Sequence, residues 1–187
     1  MPLDEIRYHF KVTLADLARG VEAQGQIVPL HHRDESLERF YLRVLTWALF
    51  YTPDLQIAAP TLDPAAPALF ADDPTGRKSV WIAVDPEDAA TLGHALRHNR
   101  GATVGAAFSD RASLDRFLAT TRGVKGLEAA EFLLVDEVLL QQMAAALDER
   151  RYDLAITVVE DHLYLQAGRA SFDGLITRRR GPPVLPA

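Results

Sequence analysis

The residues best suited to chemistry fall in three short stretches. Glu35 and Glu38 stand with two arginines in His32-x-x-Glu35-x-x-Glu38-Arg39-x-x-x-Arg43. Asp73, Arg77 and Lys78 share Asp73-x-x-Gly76-Arg77-Lys78, and Asp85 follows the apolar run Ser79–Val84. Carboxylates can bind a metal ion or polarise a water, and arginine can grip phosphate bidentately. Each residue also has a plain structural reading. Acids in the first turn stabilise a helix, and Glu35 is spaced i,i+4 from Arg39 for an ion pair. Arg39 and Arg43 are expected to pair with local acids, with phosphate contact as the second reading. Asp85 before Pro86 reads as a helix cap at a strand end, and Trp81 as a core residue before a stacking platform for bases.

Other chemistries are excluded by composition or context. Cysteine is absent, which removes disulfides, thiolate metal sites and thiol nucleophiles. His31-His32 lacks a partner at a spacing that suits zinc, and Ser109 lacks the Gly-x-Ser-x-Gly setting. Pro53-Asp54 is not followed by an acid-x-lysine strand. His32-Arg33-Asp34 lacks the downstream asparagine and glycine-rich loop of a kinase. No Gly-x-Gly-x-x-Gly follows the first strand, so a dinucleotide fold has no support.

The elements that must position these residues follow from periodicity. Ile6, Tyr8, Phe10, Val12 and Leu14 alternate with polar residues as a strand, and Val21–Leu30 can return as a hairpin. Asp34 or Ser36 caps a helix whose stripe is Leu37, Phe40, Tyr41, Val44, Leu45, Ala48 and Leu49, ended by Pro53. Leu55–Ala58 suggests a short strand, and proline-rich 60–70 an irregular connection. Ser79–Val84 is apolar enough to be buried on both faces. Pro86-Glu87-Asp88 then opens a helix to about Arg97. Thr103–Phe108 and Glu131–Val135 are strands, each followed by a helix capped near Ser109/Asp110 or Asp136. Tyr152–Val158 and His162–Leu165 form a hairpin. Strands alternating with helices, flanked by hairpins, predict an α/β fold of α+β character with a mixed sheet.

The length of 187 residues suits one domain, placed at residues 1–176, with 177–187 (including Arg178-Arg179-Arg180) as a mobile tail. The net charge of −6 argues against broad attraction to nucleic acid, though a local basic groove is compatible with it. No apolar run approaches the ~20 residues of a membrane helix, and the acidic start is unlike a secretory signal. A cytoplasmic location is the default expectation.

Taken in order, the His32–Arg43 pattern with Ala48-Leu49, the Asp73–Ile82 pattern, and the strand, Asp136-led helix and hairpin at the end resemble the YaeQ family, from about Val21 to Gln166. That family is similar to the PD-(D/E)XK nucleases, so the resemblance implies a restriction-endonuclease-like core. In such folds a helix glutamate, a loop aspartate and a strand carboxylate hold magnesium, which stabilises charge on a phosphodiester oxygen. Carried over, the helix acids are Glu35 and Glu38, the loop aspartate falls on Ala68, and the strand glutamate falls on Ala83. Asp85 occupies a position where the family tends to have glycine. The resemblance therefore implies a nuclease-like fold with a degenerate centre, kept as a binding or interaction module, with no metal or other cofactor expected. An alternative keeps a magnesium-dependent nuclease through migrated ligands: Glu35, Asp73 and Asp85 with Lys78 as the basic group. A third reading is a structural or protein-partner role without nucleic acid contact. Partner and substrate are not encoded in any motif.

Overall fold

The computed structural model describes residues 5–61, 63 and 65–183. A long strand, β2 (His9–Asp16), follows β1 (Glu5–Arg7) and returns as β3 (Val21–Ile27), the expected hairpin. β1 instead pairs with β4 (Leu30–His32) in a separate two-stranded ribbon. This ribbon brings the chain to α1 (Leu37–Leu49), where Ser36 accepts a hydrogen bond from the Arg39 amide at 3.2 Å. Ser36 is thus the cap, and Glu35 lies one residue before it rather than in the first turn.

Beyond α1 come β5 (Gln56–Ile57), β6 (Leu69–Asp72), β7 (Lys78–Val84), α2 (Ala89–His98), β8 (Thr103–Phe108) and α3 (Arg111–Ala119). The chain then forms β9 (Glu131–Val135), α4 (Glu137–Ala146), β10 (Arg151–Val159), β11 (His162–Ala167) and β12 (Ala170–Arg180). Asp88, not Asp85, caps α2, and Pro86 precedes the cap. β6 begins at Leu69 and Phe70, the last residues of the stretch expected to be irregular.

The large sheet runs β3-β2-β10-β11-β12-β9-β8-β7-β6-β5. β7, β8 and β9 are mutually parallel, β2 and β10 are parallel, and the other neighbours are antiparallel. The sheet is mixed, as the periodicity predicts. β12 joins its two halves. Residues 170–175 pair with β11, and Ile176–Arg180 pair with β9. Thr177–Arg180, expected in a tail, are therefore ladder residues; Val184–Ala187 lie outside the described residues. The ladder signal was present in Phe172, Gly174 and Ile176, buried in alternation with exposed neighbours.

Two cores flank the sheet. On one face Phe10, Val12 and Leu14 of β2, with Val80, Ile82 and Val84 of β7, pack with α1 and α4. On the other, Trp81, Ala83, Ala106 and Phe108 pack with Ala89 and Leu92 of α2 and Leu114 and Phe117 of α3. The parallel strands are covered on both faces, which accounts for their near-continuous apolar sequence. α1 is buried from Phe40 to Leu49, not along one stripe, because α4 packs against it in addition to the sheet. Its buried polar groups are mostly satisfied: Tyr41 Oη donates to Leu147 O at 3.1 Å, and Trp47 Nε1 donates to Leu55 O at 2.9 Å. Gly105 allows close packing at its C-terminal end, since a Cβ there would lie 2.8 Å from Glu131 O and 3.2 Å from Phe50 Cζ.

Candidate functional site

The N-terminal end of α1 brings several of the expected residues together. Glu35 is fixed from its backbone upward: its amide donates to His32 O at 2.9 Å, and its carbonyl lies 2.8 Å from His31 Nε2. Its carboxylate meets Arg43 in a two-bond fork, Nε to Oε1 and Nη2 to Oε2, both at 2.8 Å. Arg43 also donates to Leu30 O at 2.6 Å and Ala58 O at 3.1 Å. One guanidinium thus ties the β4 end, the approach to α1 and the segment after β5 to the helix. The side chains are only 8% and 4% exposed, so the pair is desolvated and stands on its geometry.

Arg39 extends this pair outward. Its Nε is 3.8 Å from Glu35 Oε1, and its Nη1 is 4.0 Å from Asp85 Oδ2. Asp85 follows β7 with φ of 44°, a left-handed conformation uncommon outside glycine. That turn breaks strand alternation. Asp85 does not share the face of Ala83, and its carboxylate instead accepts a hydrogen bond from the Ser109 amide at 2.9 Å, beyond the end of β8. Burial raises the Asp85 carboxyl above its ordinary range, opposed by the Ser109 bonds and the charge of Arg39. The cluster sits at the carboxyl ends of parallel strands, where open α/β sheets place their ligand crevices. Its formal charge balances, with Glu35 and Asp85 against Arg39 and Arg43.

The remaining candidates lie elsewhere. Glu38 occupies the first turn of α1, where the helix dipole favours it, and makes no ion pair among the described residues. Asp73 organises the β6–β7 turn. Its Oδ1 accepts from the Thr75 amide at 2.8 Å, the Thr75 hydroxyl at 2.6 Å and the Arg77 amide at 3.0 Å, and these bonds, the hydroxyl's foremost, lower its pKa. Lys78 pairs with Asp72 at 2.6 Å and lies over the Phe70 ring. Lys78 begins β7 and Asp85 follows its end. At a rise near 3.3 Å per residue the two are about 23 Å apart. The migrated set of Glu35, Asp73, Asp85 and Lys78 therefore does not converge on one ion.

Ala83 and Ala68, on which the resemblance places the strand and loop acids, are part of the packing. Ala83 is buried in the apolar layer under α2 and α3, on the opposite face of β7 from α1. Ala68 donates its amide to Ile82 O at 2.8 Å and rests against the α1 core. Magnesium, the ion that the nuclease resemblance implies, does not fit these residues. Both Glu35 oxygens already accept from Arg43, and no three acids or histidines are grouped to hold a metal among the described residues.

The family model of the YaeQ protein matches residues 1–174. The chain belongs to the YaeQ family. The match reaches further in both directions than the Val21–Gln166 span that carries the resemblance in sequence. Two solved YaeQ structures share the fold. The YaeQ protein from Xanthomonas axonopodis pv. citri superposes with a TM-score of 0.83 at 18% identity, covering 96% of this chain and 99% of that one. The YaeQ protein from Pseudomonas syringae gives 0.78 at 23% identity, covering 95% and 98%. No curated protein matches the chain. Among the described residues no helix is long and apolar enough to cross a membrane.

Two features of this YaeQ chain escaped the sequence reading. The Ser109 amide has no side-chain signature, so its bond to Asp85 was not legible. His94 and His98 on α2 stack at 3.8 Å, a pair at i,i+4 that spacing alone could have flagged. His98 Nδ1 lies 2.9 Å from His94 O, so one ring nitrogen is engaged with the helix backbone.

Proposed function

We propose that this YaeQ protein is a catalytically degenerate relative of metal-dependent nucleases that acts as a binding or interaction module. The observation that carries the reading is the Glu35–Arg43 fork. The helix acid whose oxygens would serve a metal ion is bonded instead to a buried guanidinium. The apolar surroundings of Ala83 support the same reading, because a carboxylate there would face the α2–α3 core. Arg43 is spent on Glu35 and two carbonyls, which leaves Arg39, at 42% exposure, as the polar group of this cluster best able to meet a partner.

The test is incubation of the purified chain with single- and double-stranded DNA and with RNA, in magnesium and in manganese. The reading expects no cleavage above that of the buffer. Metal-dependent cleavage that disappears in Glu35→Ala, with the variant still folded, would overturn it.

A further inference from the structure

The C-terminal end of α1 carries a second polar feature, about 20 Å from Glu35 by helix rise. A cleft of about 450 Å³ opens there, lined by Arg19, Arg178, Arg179 and Arg180, with Tyr51 and Thr52 among its walls. Glu131 is the one acidic residue in the lining among the described residues. Arg19 is matched by Asp16 at 2.6 Å. Arg178 and Arg180, which share a face of β12, make no ion pair among the described residues, so the cleft sets two unpaired arginines beside one carboxylate in a protein of net charge −6.

Helix capping accounts for part of this arrangement. Arg19 Nη2 donates to Ala48 O at 2.9 Å, and Arg178 Nη2 donates to Leu49 O, so both neutralise the negative end of the α1 dipole. Capping does not account for the rest. Arg178 Nε and Thr52 Oγ1 are buried without hydrogen-bond partners, a costly condition that a bound acceptor would relieve. Burial, reinforced by the charge of Arg19, pushes the Arg178 pKa below its ordinary value, and a bound anion would offset both effects. Arg180 touches no α1 carbonyl, yet β12 holds it on the face of Arg178 through pairing with Glu131, whereas Arg179, opposite Phe132, turns to the other face.

We infer that this cleft binds a small phosphate-bearing anion, its phosphoryl oxygens held by Arg178 and Arg180 and its remainder resting beside Tyr51 and Thr52. Guanidinium forks match the paired oxygens of phosphate, and the volume is that of a small-molecule site. The acidic net charge favours a compact ligand over a long polyanion. The inference goes beyond the reading of the Glu35 end, because neither cluster contributes a residue to the other.

Isothermal titration of the full chain with pyrophosphate and with adenosine triphosphate tests it, with a single-stranded oligonucleotide as the third arm. One small-anion site per chain is expected, weakening as salt rises. Arg180→Gln is expected to bind at least tenfold more weakly at an unchanged melting temperature. Absence of saturable binding by either small anion below about 1 mM would overturn the inference. So would unchanged affinity in Arg180→Gln, or binding of the oligonucleotide alone.

Discussion

Replacing Glu35 by glutamine removes one charge and almost no volume, so its cost measures what the Arg43 fork does. Arg43 would keep its bonds to Leu30 O and Ala58 O but remain a buried cation without a counter-ion. Breaking a buried pair from one side costs about 3–5 kcal/mol, since the orphaned charge cannot regain water. Arg39, a second cation 3.8 Å from the same carboxylate, loses its counter-charge as well, so it adds to this loss and does not offset it. Against a total stability of about 5–15 kcal/mol, such a loss removes a large fraction. With a urea m-value of about 2 kcal/mol/M, the midpoint falls by about 1.5–2.5 M. Urea titration followed by tryptophan fluorescence reads this directly. A double-mutant cycle with Arg43→Gln adds the coupling, expected at about 0.5–3 kcal/mol. A shift in Glu35→Gln below about 1 kcal/mol, with no coupling, would refute the view that the pair is a structural clamp.

Three further outcomes follow from the packing and the charges. Ala83→Glu is expected to cost more than about 3 kcal/mol by urea titration, because the new carboxylate enters the Trp81–Phe108 layer; a variant as stable as the parent would contradict that placement. Gly105→Ala is expected to cost about 1–3 kcal/mol, since the Glu131 carbonyl cannot retreat from an added methyl 2.8 Å away; an unchanged melting temperature would show that it can. Asp85 has a pH signature. Burial raises its folded pKa, so the folded chain holds this proton more tightly than the unfolded chain does. That contribution is complete below the ordinary value of 3.8 and is lost as pH rises through the raised one. The stability of the parent relative to Asp85→Asn should therefore fall as pH climbs above about 4, and a rise over that window would reverse the assignment.

Local signals made much of the fold readable, while long-range pairing did not appear in them. The alternation of Phe10, Val12 and Leu14, the caps at Ser36, Asp110 and Asp136, and the apolar run through Ile82 each state a local preference that the structure honours. The parallel pairing of β2 with β10 joins segments far apart in sequence, and no local pattern encodes a partner. β12 was missed because its arginines resemble a solvated tail, although burial still alternates beneath them. At the site, the Glu35–Arg39 spacing was legible, but the stronger partner proved to be Arg43, two helical turns on and reached because Glu35 sits before the cap. Strand alternation alone would set Asp85 on the face of Ala83, and a single left-handed residue turns it away.

The most direct measurement of the central claim is a manganese titration of the parent chain and Glu35→Gln, read by isothermal calorimetry at neutral pH. An acid committed to Arg43 predicts no stoichiometric site tighter than about 1 mM in either protein. A site tighter than that in the parent, abolished by Glu35→Gln, would contradict it.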